Sequence, residues 1–461
     1  MPAHDTLTRR ALLKTLTAAG GAAVARPFAR FVDLLANEAP ARELVARPST
    51  VDLGGGRSWA TWTYGGGVPG PVLGGARGTR FRLDLRNELA EPTTIHWHGL
   101  PVPPGMDGVP GLSQDPVQPG DVFSYDFELT HPGTYLYHSH AGLQLDRGLM
   151  GPLVVTDPDD PVRADVDVVV LLDDWLAGNP DDAFAALRSQ PGFGMMGGMR
   201  EVAYDGYVAN GAVADPMPLS VARGALMRLR LINGAASTTF VVGVEGRPLT
   251  VTHADGQAVA PVVVDTVRLG MGERYDVTFR ADDAGPWTLF AGNVDARVPA
   301  IALPIVVDGG PRTTGRPLAW PATLLRGRRL QYEQLRPLAP PPPVVVPVRE
   351  VPLTLGFAPG YAWTINGETF ESAAALAVRE GERVRLVFRN LSMMRHPMHL
   401  HGHFFEVLTG AGRGPLKDTV IVDPMGQVAV EFTADNPGRW LMHCHHAYHM
   451  EAGMAREIRY A

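Results

Sequence analysis

Near its C-terminus the chain reads "WLMHCHHAYHMEAGM", residues 440–454, and Cys444 within it is the only cysteine of 461 residues. His443 and His445 flank that thiol, His449 follows, and Met454 closes the stretch. Three further segments are of the same kind: "HWH" with His96 and His98, "HSH" with His138 and His140, and "HPMHLH" with His396, His399 and His401. On a strand, residues i and i+2 point to the same face, so each H-x-H delivers two imidazoles to one side. Four such pairs supply eight imidazoles, too many for one ion and suited to a cluster of two or three metals.

If His443 and His445 face that cluster, Cys444 faces the other way, into the interior of its own unit. His396 and His449 then complete a set of two imidazoles and one thiol, with Met454 as a weak axial sulfur, which is the ligand list of a blue-copper site. A single tripeptide would touch two metal sites on opposite faces. A zinc site built from four cysteines, or from two cysteines and two histidines, fails for lack of thiols, and no helical Glu-x-x-His pair supports a di-iron carboxylate site. His131, His253, His403 and His446 read as hydrogen-bonded core histidines.

The elements that must position these residues come from an internal repeat. "RGTRFRLDLRN" (77–87), "RGALMRLRLIN" (223–233) and "EGERVRLVFRN" (380–390) share a glycine turn, alternating apolar residues and a final asparagine, at spacings of 146 and 157 residues. A second motif follows each copy: "PGTYLYHSH" ends at His140, "GPWTLFAGN" at Asn293 and "PGRWLMHCH" at His445. Alternation with frequent Gly and Pro predicts β-sandwiches of short strands. Where the outer units carry histidines the middle unit carries Ala291, Gly292 and Asn293, so it reads as a ligand-free spacer that sets the geometry of the outer two. "DPDDP" (157–161) parts the first two units, and a Pro-rich stretch including "APPPPVVVPV" (339–348) links the second to the third.

With 45% hydrophobic and 19% charged residues and a net charge of -7, the composition is that of a globular, mildly acidic protein with no nucleic-acid partner. Lys14 and Lys417 are the only lysines. Arg9 and Arg10 precede an apolar stretch ending in Ala23, Val24 and Ala25, which reads as a twin-arginine export signal over residues 1–25. The expected location is periplasmic or extracellular, and no later apolar run is long enough to span a bilayer.

In these four histidine segments the chain resembles the multicopper oxidases, from about Val51 onward. The resemblance implies an all-β fold of three cupredoxin-like Greek-key β-sandwich or barrel domains, at 45–157, 162–308 and 349–461 with a linker over 309–348. It implies four copper ions: a type 1 copper on His396, Cys444, His449 and Met454; a type 2 copper on His96 and His399; a type 3 pair on His98, His138, His140, His401, His443 and His445. The His449 edge of the type 1 site is expected near the surface. Asp107, in a "GMDG" loop, and Glu451 would handle protons. "PPGMDGVPGLSQ" (103–114) and "YHMEAGM" (448–454) look most like the copper-resistance branch. A monomer that reduces dioxygen with electrons from Cu(I) or a small phenol is implied, the alternatives being a general laccase of phenols and aromatic amines and a non-catalytic copper-sequestering protein. Met195, Met196 and Met199 in "GFGMMGGM" read either as a soft-ligand port for Cu(I) or as apolar cover. Met393, Met394 and Met398 flank His396 and read equally as packing around the blue copper.

Overall fold

The computed structural model describes residues 42–189, 201–212, 216–283, 285, 287–296, 300–308, 319–339, 347–410 and 412–461. The stretch read as an export signal, and Met195, Met196 and Met199, lie outside the described residues. The fold is all-β, three cupredoxin-like units of two packed sheets each.

In the first unit, residues 42–156, one sheet runs Ser58–Tyr64, Arg42–Asp52, Arg80–Asn87, Val122–Glu128, and the other runs Leu73–Ala76, Met150–Thr156, Gly133–His138, His96–His98. Alternation fixes the faces: in Arg80–Asn87 the apolar Phe81, Leu83 and Leu85 are buried. The second and third units each pair a six-stranded with a five-stranded sheet. Each unit has a parallel ladder in each sheet, and the longer one joins Arg42–Asp52 to Arg80–Asn87, Val166–Trp175 to Leu226–Asn233, and Val348–Ala358 to Arg383–Asn390. The second strand of each of these longer ladders, in the order given, is one of the three sequence copies.

The asparagine ending each copy has a physical reason. Asn87, Asn233 and Asn390 are fully buried where the chain crosses from one sheet to the other. Asn390 Nδ2 donates to the carbonyls of Met394 (2.6 Å), Val422 (3.2 Å) and Asp423 (3.0 Å), while its Oδ1 accepts from Ser392 N–H (2.8 Å). Asn87 does the same with Glu91, Val117 and Leu89, and Asn233 with Thr238, Leu269 and Ala235. A crossing loop that buries backbone carbonyls needs such a partner. In the outer units that loop ends on the first metal-ligating candidate, His96 or His396.

Among the described residues three α-helices interrupt the pattern, the longest being Pro180–Ser189. That helix, in the second unit, lays Phe184 against Tyr361 and Tyr448 of the third, with ring centroids 6.2 Å apart in both cases. Among the described residues no helix is long and apolar enough to cross a membrane.

Candidate metal centre

Strand register sorts the candidate ligands. His96 pairs with His138 across the antiparallel ladder of the first unit. In the third, His396–Leu400 and Arg439–Cys444 are antiparallel neighbours in which His399 faces His443 and Met398 faces Cys444. Directly opposed residues share a face. His399 and His443 therefore point to the first unit, whereas Met398 and Cys444 point into the third unit's apolar core, beside Met394, Met442 and Met454.

Four groups result, each with its nitrogen or sulfur atoms within 4.8 Å of one another: His96, His98 and His399; His98, His138 and His445; His140, His401 and His443; and His396, Cys444 and His449. Every member is buried. The first three groups adjoin and combine residues of the first and third units, face to face as the sequence predicts. Cys444 Sγ lies 3.6 Å from His396 Nδ1 and 3.7 Å from His449 Nδ1. Met454 is fully buried, and the Cys444 N–H donates to its carbonyl at 3.0 Å.

Hydrogen bonds at the far side of each ring choose the nitrogen that faces inward. The Nδ1–H groups of His96, His138, His399 and His443 donate to the carbonyls of Asp107 (2.7 Å), Ser139 (2.9 Å), Asp418 (2.9 Å) and Cys444 (3.0 Å). That of His401 donates to Asp107 Oδ2 at 2.9 Å. The inward Nε2 atoms are then bare lone pairs. His401 Nε2 and His443 Nε2 sit 3.0 Å apart, and those of His96, His138 and His399 have no partner. Acceptors that converge in a buried space need a cation between them, so the donor set fits transition-metal ions.

Burial holds His98, His138, His140, His399, His401, His443 and His445 below the ordinary imidazole range. For His98, His140 and His401, repulsion by neighbouring imidazoles comes next. These rings are neutral and ready to ligate. Burial likewise pushes the Cys444 thiol up, so a bound cation is what would hold it as thiolate.

Asp107 is more than a turn residue. Fully buried, it touches His96 and His401, so one carboxylate spans two of the groups. Gly108 after it has φ +83°, and a Cβ there would lie 1.9 Å from the Ile95 carbonyl, which lets the loop fold flat onto the histidine strand. Glu451 is exposed and lines a cavity of about 620 Å³ with His140, Gln144, Arg147, Arg439 and Met450. Desolvation there, then Asp181 and Glu371, raise its pKa.

Two expectations need correction. His449 is not at the surface: Trp363 and His446 sandwich it at centroid distances of 3.9 and 3.7 Å, and the Pro180–Ser189 helix packs Phe184 over Tyr361 and Tyr448 beside it. His446 is buried, but both its ring nitrogens lack a hydrogen-bond partner. Among its described residues the middle unit contributes to none of the four groups, and it packs directly against the cluster. A Cβ on its Gly272 would sit 2.7 Å from His98 Cε1, and its Arg274 forms a bidentate pair with Asp418 at 2.7 Å per bond. Asp418 Oδ1 lies 3.2 Å from His98 Nε2. Sequence reasoning missed Arg274 and Asp418, which are 144 residues apart and meet only when units dock. His403 is the expected core histidine, bonded to His401 O and Tyr460 OH. His253 is buried among Arg228, Asp160 and Asp276, and His131 is partly exposed beside Thr130. Met394 and Met398 are buried, while Met393 is 67% exposed.

Three family models described as multicopper oxidase match residues 46–160, 166–310 and 346–461. The chain is 37% identical over 443 residues to "Multicopper oxidase MmcO" of Mycobacterium tuberculosis, covering 90% of this chain and 86% of that one. It is 30% identical to the "Copper resistance protein A homolog" of Pseudomonas syringae pv. tomato, with 88% and 90% covered. The crystal structure of a laccase from Botrytis aclada superposes with a TM-score of 0.78 at 26% identity, covering 94% of this chain and 89% of the other. Matched from the first histidine pair to the last methionine, the chain belongs to the multicopper oxidase family, copper-dependent oxidoreductases that use dioxygen and a reducing substrate.

Proposed function

We propose that the chain is an exported oxidase holding four copper ions: one on His396, Cys444, His449 and Met454, one on His96 and His399, and a pair on His98, His138 and His445 and on His140, His401 and His443. The observation that carries this reading is the register in which His399 faces His443 and Met398 faces Cys444, giving a thiol site and a histidine cluster back to back. Copper bound there supplies the one-electron couple by which four single-electron oxidations of the donor are matched to the four-electron, four-proton reduction of dioxygen to two waters. Cys444 is covalently continuous with His443 and His445, so the donor side and the dioxygen side are one residue apart. Asp107 holds two cluster imidazoles and handles protons between them, and Glu451 handles protons at the mouth of the cavity that reaches His140.

The donor is Cu(I). Met393 carries an exposed thioether beside Ser392, whose hydroxyl meets His396 Nε2 at 2.8 Å, and thioethers prefer Cu(I). Similarity to the Botrytis aclada laccase favours a second reading, a general oxidase of small phenols. The domain division at 45–157, 162–308 and 349–461 and the twin-arginine route, which leads to a periplasmic or extracellular location and copper tolerance, belong to the same proposal.

Oxygen consumption by the copper-loaded enzyme, with Cu(I) and with a simple phenol, separates the two donors. It is measured on wild type, on a Met195, Met196 and Met199 to Ala variant, and on Met393→Ala. Cu(I) turnover lost in either variant while phenol oxidation is kept establishes the cuprous oxidase. Unchanged Cu(I) turnover in both leaves the phenol oxidase as the better description.

A further inference from the structure

One imidazole of the cluster is turned the other way. Five cluster rings donate from Nδ1 to a carbonyl or carboxylate and face inward with Nε2. His98 instead has Nδ1 facing inward, 3.1 Å from His445 Nε2, and Nε2 facing outward. Outside it stand Asp418 Oδ1 and Thr419 Oγ1, each 3.2 Å from Nε2. The Thr419 hydroxyl donates to Asp418 Oδ1 at 2.9 Å, so its oxygen offers His98 only lone pairs. Both neighbours are acceptors, and both require the proton on Nε2.

This arrangement depends on a charge the third unit does not balance at that carboxylate by itself. Asp418 is fully buried, and a buried carboxylate needs a partner to stay ionised. Arg274 of the middle unit supplies it through two parallel bonds of 2.7 Å, a fork that a lysine cannot reproduce. The guanidinium is itself anchored on Thr134 O of the first unit and Gly272 O of the second, both at 3.0 Å. Three units therefore meet at one side chain. Gly272 leaves the ring its place, since a Cβ there would lie 2.7 Å from His98 Cε1.

We propose that Arg274 is a positioning residue: through Asp418 it fixes the tautomer of His98, and so which of its nitrogens is offered to the type 3 copper pair. The ligand-free middle unit thereby completes the cluster. This rests on the reading of His98 as a copper ligand, and the test separates the two.

His98→Gln, Arg274→Gln, Asp418→Asn and Arg268→Gln are prepared as full chains and loaded with copper. Arg268 joins the same two units through Asp423, at 2.7 and 3.0 Å, away from the cluster, and serves as the control. Copper per chain, the visible absorption of the Cys444 site and the EPR spectrum are recorded. A coupled copper pair is EPR-silent, and breaking the coupling exposes a new signal. In the expected result, H98Q, R274Q and D418N each lose about one copper or gain that signal while the visible band persists, and R268Q matches wild type. Full copper and a silent pair in R274Q and D418N, with H98Q impaired, would overturn the role of Arg274. Equal loss in R268Q would do so too, by assigning the effect to interface packing. An unimpaired H98Q would instead refute His98 as a ligand. If R274Q loses the visible band through misfolding, D418N, which keeps the volume of the side chain, decides.

Discussion

At the scale of single residues, the chemistry lies in what stands behind each ligand. Asp107 carries two contacts to cluster histidines, and groups that orient ligands typically contribute about 10–100-fold in metal affinity or activity. Asp107→Ala is therefore expected to lower dioxygen reduction by about that factor while leaving the visible band of the Cys444 site unchanged; steady-state oxygen uptake beside an absorption spectrum checks both. Copper-free protein should also show a defined acid limit. Burial holds His396 and His446 down to about 3. The unfolded chain takes up their protons near ~6.5. Stability is thus complete above that pH and is lost progressively as pH falls from ~6.5 towards 3. Denaturant midpoints measured across that window should decline, and His446→Leu should flatten the decline, since it removes one such imidazole and two unpartnered nitrogens.

Among the elements, the asparagine at the end of each repeat offers an internal comparison. Asn390 and Asn233 make similar sets of buried hydrogen bonds, so replacing either by Ala should cost on the order of 3 kcal/mol. Only Asn390→Ala should also weaken the blue absorption, because its loop leads into His396; thermal melts with copper bound distinguish the two. The same elements show how much the sequence revealed. Strand alternation was legible, and with it the opposite facing of Cys444 and its histidine neighbours, because period two is a local property. The burial of His449 was not, since the Pro180–Ser189 helix that covers its surroundings comes from another unit. Arg274 and Asp418 were illegible for the same reason: a charged residue on a strand, or at the bend between two strands, looks solvated until a second unit docks on it.

Across the whole molecule, the two proposed metal sites differ in what holds them together. The His396, Cys444 and His449 group lies within one unit, whereas the cluster needs the first and third units, with the second bracing it through Arg274. Loosening the interfaces should therefore dismantle the cluster first. Titration with guanidinium is expected to abolish oxygen uptake and expose the uncoupled EPR signal before the blue colour fades; coincident transitions would count against this order. The shared strand Arg439–Cys444 imposes the opposite kind of dependence. Substitutions can retire either site alone. A single-residue insertion or deletion within that strand turns His443 into the oily interior and Cys444 toward the cluster, so both sites are lost in one step. In heredity the two centres share a reading frame, and neither can drift by slippage without the other.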